Sequence, residues 1–499
     1  MILVRRSSAP MAAVLTAVLL VVLACAGCGG GGTTTSAAGA TTSGVTTSAP
    51  GATTSAPPAS TSTTGSAGPG STPTSATQSI GGGRPSGDWP TYHHDAARSG
   101  VAADQGALGA VAQEWTSVAL DGAIYAQPLV IGDRVFVATE SNTVYALDVS
   151  TSAIVWQQNL GEPVPGGDLP CGNIDPSGIT GTPVIDVSGG VLYVVANLRS
   201  GPHHELFAIG LSDGAVRWHR AIDPPGLQPA VEQQRGALAL SGGKVYVPFG
   251  GLYGDCGPYK GAVVSVAAGG SGDIAAYEVP TRRMAGIWNP AGPAIDNAGN
   301  LWVTTGNSAS QTAFDFGNAI IRLDLQLNPA DYFAPSNWAQ LNAGDTDLGS
   351  LGPVLLPNGR VLVMGKDGIA YLADAGNLGH VGNPVTSLKV GAGAFGAAAT
   401  MGTAVFVPTT KALVAIDVKG DQLAVAWRVN GGSGSPIMAG GAVWALGYDG
   451  KLRAMDPANG KVLFSAQLGN PVSRFISPAV AGGRVFVADG GTLTAFTLR

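Results

Sequence analysis

The chain has 499 residues, of which 45% are hydrophobic and 12% charged, with 75 glycines, 33 prolines and a formal net charge of −6. An acidic balance without a lysine or arginine cluster argues against nucleic acid, whose binding rests on neutralised phosphates. Glu and Lys are scarce beside Gly, Val and Thr, so short strands and many turns are expected, with little helix.

Residues 1–27 read as a lipoprotein-type signal peptide. Arg5 and Arg6 precede an apolar run from Met11 to about Ala24, then small residues and cysteine. The run is shorter than the ~20 residues of a spanning helix. Cys28 is the expected lipidation site, with Cys25 as the alternative. Choosing Cys28 leaves Cys171 and Cys256 as an even pair, whereas choosing Cys25 leaves a spare thiol. Palmitate and further acyl chains there would anchor an exported protein to the cell membrane, facing outside the cytoplasm. Residues 28–86 are mostly Thr, Ser, Ala, Gly and Pro, with almost no charge and no aromatic side chain, which predicts a low-complexity, disordered tether.

Residues 87–499 form the folded part. It opens with Asp88 to Gly100, whose Trp89, Tyr92 and Arg98 suit a piece packed across the surface of the domain. Next, Gln113 to Leu120, around Trp115, reads as a lone strand.

A repeat then begins. Ala126 to Leu160 holds four strand-length runs separated by Gly132-Asp133, Ser141-Asn142 and Asp148 to Ser152, all with turn chemistry. Its second run, Val135-Phe136-Val137, has counterparts at Leu192, Val245, Leu301, Val361, Val405, Val443 and Val485. Third runs keep step, from the one ending at Asp148 to the one ending at Thr497, about 50 residues apart, a propeller period. Inner runs start at Pro128, Pro183, Pro293, Pro353, Pro436 and Pro478, or without proline at Ala237 and Ala398. The eighth copy stops at Arg499 after its third strand, and the lone strand around Trp115 supplies the missing fourth. The predicted fold is therefore all-β, a monomeric eight-bladed β-propeller of four-stranded antiparallel blades, closed by an N-terminal strand that completes the last blade.

Within that frame Trp115, Trp156, Trp218 and Trp427 fall on fourth strands and are expected to pack between blades. Asp148, Asp324, Asp374, Asp417 and Asp456 recur at one turn and read as turn formers. His93-His94 and His203-His204 are neighbours that point to opposite faces, so surface loops are expected rather than a metal site. Cys171 and Cys256 lie in insertions of the second and third blades, and in an exported protein they predict a disulfide between adjacent blades.

The Tyr145-Ala146-Leu147-Asp148 turn followed by Trp156, its echo from Phe207 to Gly210 followed by Trp218, and the opening Asp88 to Gly100 resemble the pyrroloquinoline-quinone (PQQ) repeat family over Asp88 to Arg499. That resemblance implies a propeller with either of two roles. One is that of the quinoprotein alcohol dehydrogenases, which hold the quinone between a tryptophan and an adjacent Cys-Cys ring, with Ca²⁺ bound by Glu, Asn and Asp. The other is that of non-catalytic propellers such as the outer-membrane-assembly lipoproteins.

Trp302 to Asn307 is similar to a Thr-Gly-Asn stretch of the enzymes, and Asp345-Thr346-Asp347 and Lys366-Asp367-Gly368 resemble segments of their next blade. The resemblance thus implies Asn307 and Lys366 as cofactor-binding residues and Asp345 and Asp347 as metal ligands, with no catalytic residue assigned. The folded part has no adjacent Cys-Cys pair. The expected function is accordingly a non-catalytic binding or scaffold module at the cell envelope, with an envelope protein as partner. The alternative is a PQQ- and Ca²⁺-dependent dehydrogenase of an alcohol or sugar. Chemistry is expected where the copies depart from their unit, around Cys171, around Cys256 and from Asn307 to Asp347.

Overall fold

Each run of β-branched and aromatic residues between Gly- or Asp-rich turns forms a strand, and successive strands pair with their neighbours. In a computed structural model, which describes residues 87–102, 105–469 and 475–498, blade 1 consists of Leu129–Ile131, Arg134–Ala138, Thr143–Asp148 and Ile154–Asn159, paired antiparallel in that order. The signal peptide, the tether and both lipidation candidates, Cys28 and Cys25, lie outside the described residues. Blades 2 to 7 repeat the arrangement over 184–221, 239–278, 294–334, 354–389, 399–430 and 437–467. The two middle strands of a blade are buried on both faces, while the outermost, as in Ile154–Asn159, alternates and turns one face to solvent. Helix is confined among the described residues to short turns, the longest being Trp338–Ala343.

Blade 8 closes as expected. Its strands 479–497 accept Ala112–Thr116 as the outermost strand, antiparallel to Thr492–Thr497 with Ala112 opposite Thr497 and Thr116 opposite Thr494. Arg484 Nε meets Glu114 Oε2 at 2.5 Å across that seam. The chain is an eight-bladed β-propeller.

Fourth-strand tryptophans fasten three blades to their neighbours through indole hydrogen bonds. Trp115 Nε1 donates to the carbonyl of Val149 in blade 1 (3.0 Å), Trp156 Nε1 to Leu211 in blade 2 (3.0 Å), and Trp427 Nε1 to Pro457 in blade 7 (2.8 Å). The ring needs a bare backbone to lie on. Gly214 (φ +70°) provides it, since a Cβ there would stand 2.6 Å from the Trp156 ring. Four of the five repeated aspartates act as turn formers; Asp148 Oδ1, for instance, accepts the N–H groups of Ser150 and Thr151, both at 3.0 Å. The fifth, Asp417, pairs with Lys419 at 3.4 Å.

The opening segment departs from expectation. Instead of lying across the surface it plugs one end of the central axis, with Trp89, Tyr92 and Arg98 all buried. Inner strands have unpaired backbone groups facing the axis, and the segment supplies their partners. Trp89 exchanges hydrogen bonds with Val130 of blade 1 (2.7 and 3.0 Å), Pro90 accepts from Ile185 of blade 2 (2.9 Å), and Ala96 accepts from Ile295 of blade 4 (2.7 Å). Ser99 accepts from Thr400 of blade 6 (3.0 Å) and Gly100 from Met438 of blade 7 (2.7 Å). Arg98 adds blades 3 and 4 by donating to Leu238 O (2.8 Å) and Pro293 O (3.1 Å). Burial pulls its pKa down to about 10, which leaves it charged at neutral pH.

The histidine expectation is corrected likewise. His93 is buried in the plug and stacks on Tyr92 at 4.5 Å, and burial followed by the nearby Arg98 charge lowers its pKa to about 3. His204 is buried on a blade strand, with Nδ1 2.8 Å from Asp223 Oδ1. On the strand His203–Gly210 alternation carries His204 inward, whereas His93 is held inside by the turns of the plug.

Candidate functional site

The residues just before the inner strands, and those just after the second strands, meet at the end of the axis opposite the plug. They line a cavity of about 420 Å³ that includes Asn173, Arg235, Trp288, Asn307, Asp347 and Lys366. By contrast, the ends of the inner strands, such as Ile185 and Leu240, lie against Asp88 and Arg98 of the plug.

Its centre is a carboxylate. Asp347 precedes the turn Leu348–Ser350 that leads into blade 5 and is buried. Its Oδ1 accepts the backbone N–H of Asn307 at 2.5 Å, and its Oδ2 lies 2.6 Å from Lys366 Nζ. Burial raises the Asp347 pKa above the ordinary aspartate value against the pull of Lys366 and of that N–H. Burial alone would lower Lys366, but Asp347 and Asp345 reverse this and hold it above the usual lysine value. Asp345, two-thirds exposed, bonds the same ammonium at 2.9 Å.

Trp288, delivered by the loop before blade 4, forms an aromatic wall with Phe395 and Phe475, at centroid distances of 6.5 and 6.2 Å. Lys366 Nζ stands 5.9 Å from the Trp288 ring and Arg235 Cζ 5.5 Å from the Phe475 ring, each a cation over an aromatic face. Gly306 has to be glycine. A Cβ on it would lie 2.7 Å from Asp347 Oδ1 and 2.9 Å from Trp288 Nε1.

A rim of two loops completes the cavity. Cys171 and Cys256 are joined in a disulfide across 85 positions; Asn173 follows the first cysteine, and Tyr253, Gly254 and Asp255 precede the second. Tyr259 OH donates to Asp255 Oδ1 (2.6 Å), and Arg283 clamps the loop through the carbonyls of Asp255 and Gly257.

The structure therefore brings Asn307, Lys366, Asp345 and Asp347 into one cavity. Lys366 stands between the two aspartates proposed as metal ligands. Trp288, Arg235, Phe395 and Phe475 were missed. All four sit between blades, outside the four-strand unit, and an off-register tryptophan such as Trp288 was the available signal.

A family model described as outer membrane protein assembly factor BamB matches residues 99–319 and 349–499. The chain belongs to this PQQ-like β-propeller family. Two polyvinylalcohol dehydrogenases are similar to it: that of Sphingopyxis sp. (strain 113P3) at 24% identity, and that of a Pseudomonas species at 23%, each match covering 73% of this chain. The chain spans 66% of the length of these curated relatives. Among solved structures, the quinohemoprotein alcohol dehydrogenase of Comamonas testosteroni superposes with a TM-score of 0.62 at 16% identity, covering 82% of this chain and 80% of that one. BamB of Moraxella catarrhalis gives 0.53 at 17% identity, covering 78% and 98%.

The expectation of a non-catalytic scaffold is corrected by these relatives, whose names are those of dehydrogenases. The physical reason is visible in the cavity, where a buried carboxylate and a cation are held together beside aromatic faces. Such a pair is costly to bury. The residues also fit a flat, polyanionic quinone: Trp288 offers a ring to lie on, and Lys366 and Arg235 offer positive charge to carboxylates. For a cation the set is sparser. Among the described residues no three His, Cys, Asp or Glu side chains gather as a metal cage, so an ion here would take Asp347, Asn307 and oxygens brought by the ligand.

Proposed function

We propose that this protein is a PQQ-dependent dehydrogenase that oxidises hydroxyl-bearing substrates in the cavity around Trp288 and Asp347. The observation that carries this reading is the buried Asp347 carboxylate, oriented by the Asn307 N–H and the Lys366 ammonium on the floor of an aromatic cavity. When bound, PQQ supplies the acceptor for the hydride that leaves the substrate carbon. Asp347 takes the hydroxyl proton, a task suited to a carboxylate whose pKa burial has raised. Lys366 and Arg235 bind the cofactor's carboxylates, and Phe395 and Phe475 keep water from the reacting centre. The rim from Tyr253 to Asp255 meets the substrate as it enters.

Molecules with secondary hydroxyls, of the kind named for the polyvinylalcohol dehydrogenases, are the first substrates to try. The test is to reconstitute the full chain with PQQ and Ca²⁺ and follow quinone absorbance and dye-linked oxidation of secondary alcohols, polyvinyl alcohol and aldoses. Saturable binding with turnover is expected. Absence of binding at high micromolar PQQ would overturn the reading.

We also propose that the enzyme works outside the cytoplasm, held by acyl chains on Cys28 or, failing that, Cys25. Labelling with a palmitate analogue should be lost in Cys28→Ser; loss only in Cys25→Ser would reassign the anchor, and labelling of neither residue would remove it.

A further inference from the structure

At the junction of blades 1 and 2, three buried side-chain oxygens lack a hydrogen-bond partner: Glu140 Oε1, Asn142 Oδ1 and Asn197 Oδ1. Their residues are 2%, 0% and 4% exposed. Glu140 and Asn142 come from the turn after the second strand of blade 1, and Asn197 from the strand Val191–Leu198 of blade 2.

All three close on Ser177-Gly178. The Gly178 N–H donates to Glu140 Oε2 (2.7 Å), Asn197 Nδ2 donates to Ser177 Oγ (3.2 Å), and Asn142 Nδ2 donates to the Asn197 carbonyl (2.8 Å). Each amide nitrogen is thus tied once, while the oxygens of both amides lack a partner. Gly178 must be bare, because a Cβ would lie 2.2 Å from the Glu140 carbonyl oxygen and 2.8 Å from Asn142 Oδ1. Oxygen atoms crowd a small cradle that a methyl group would fill.

Unmet acceptors without a donor are the wrong composition for a hydrogen-bond network, and leaving them unmet is costly. They are the right composition for a hard cation, which takes carboxylate, amide and carbonyl oxygens. A water molecule can donate only two hydrogen bonds and would leave one of the three oxygens open.

We propose that Glu140, Asn142 and Asn197, with the Glu140 carbonyl, form a Ca²⁺-type cation site between blades 1 and 2. It is distinct from any ion held at Asp347 and does not depend on the dehydrogenase reading. The site ties blade 1 to the base of the loop that carries Cys171 and Asn173, because Ser177 also pairs with Val164 in both directions (2.8 and 3.0 Å). With one carboxylate among neutral oxygens the site is weak, of the extracellular kind with Kd about 10⁻⁴ to 10⁻³ M. In the ion-free fold, burial raises Glu140 to about 7, and a bound divalent cation would bring it back down.

The experiment uses the full chain, free of quinone and stripped with chelator, carrying Asp347→Asn so that the cavity carboxylate is gone. Calorimetric titration with Ca²⁺ is expected to show one saturable site in the range of about 10⁻⁴ to 10⁻³ M. Adding Glu140→Gln, which keeps the side-chain size and can still accept from Gly178, should abolish it. Adding Asn142→Asp instead should tighten it about tenfold or more, since ligand charge tunes such sites. No saturable binding in the Asp347→Asn protein, or binding unchanged by Glu140→Gln, would overturn the proposal and leave the cradle to water. Should Glu140→Gln fail to fold, Asn142→Asp decides alone: tightened binding supports the site and unaltered binding refutes it. No quinone or turnover enters the measurement, so its failure says nothing about the dehydrogenase.

Discussion

Lys366 Nζ lies 2.6 Å from Asp347 Oδ2 and 2.9 Å from Asp345 Oδ1, so one ammonium holds a buried and an exposed carboxylate together. The buried one is the proposed base, and its reactivity is set by a contest between desolvation and that ammonium. Asp347→Asn should lower kcat by about 10²-fold or more. In the wild type the acid limb of kcat should report Asp347, with rate lost as falling pH protonates it. Lys366→Met removes the lowering charge, so the limb should move to higher pH. A limb that stays put or moves down in a pH–rate profile would refute the assignment.

The Cys171–Cys256 bond closes a loop of 85 positions. In the chain-entropy picture such a bond is worth about 4 to 5 kcal/mol, an upper figure. Replacing both cysteines with serine should lower thermal stability and weaken PQQ binding, because Asn173 and Asp255 on the rim lose their common tie. Calorimetry and quinone titration on the double variant would report the two effects separately, and unchanged affinity would show that Arg283 and Tyr259 suffice to fix the rim.

Gly214 faces the Trp156 ring at a distance that admits no Cβ, and its φ of +70° is one that other residues adopt at a cost. Gly214→Ala should therefore destabilise the protein by about 1 to 3 kcal/mol without touching the cavity. Denaturant unfolding should show the loss, while PQQ affinity stays constant.

Removing residues 113–120 should leave Thr492–Thr497 as a bare edge and deprive blade 1 of the Trp115 indole at Val149. Light scattering is expected to detect association at concentrations where the intact chain is monomeric. A deletion variant that stays dispersed and melts like the wild type would contradict the closure.

Glu140 supplies a pH signature when calcium is chelated. Its folded pKa of about 7 lies above the model-compound 4.5, so the neutral form favours the fold. That stabilisation is complete below about 4.5 and fades as pH rises through 7. Melting temperatures from pH 5 to 8 should fall more steeply for the wild type than for Glu140→Gln, and parallel curves would deny Glu140 the role.

The architecture was legible because it is periodic: strand starts at Pro128, Pro183 and their counterparts, and the tally at both chain ends, all report one repeated unit. The cavity was legible only where it uses the unit's own turns, as at Asn307 and Lys366. Trp288, Arg235 and Phe475 are placed by the approach of loops from blades far apart in sequence, which no local pattern encodes. His93 and Arg98 misled for another reason. Polar side chains read as surface unless their partners are known, and those partners are backbone groups of distant blades.

The plug and the strand Ala112–Thr116 leave the ribosome before any blade, yet both have partners in the last blades. Thr116 Oγ1 meets Thr494 Oγ1 across 378 positions, and Gly100 meets Met438. The ring therefore cannot be sealed until blade 8 has emerged, although Trp89 can meet Val130 of blade 1 well before that.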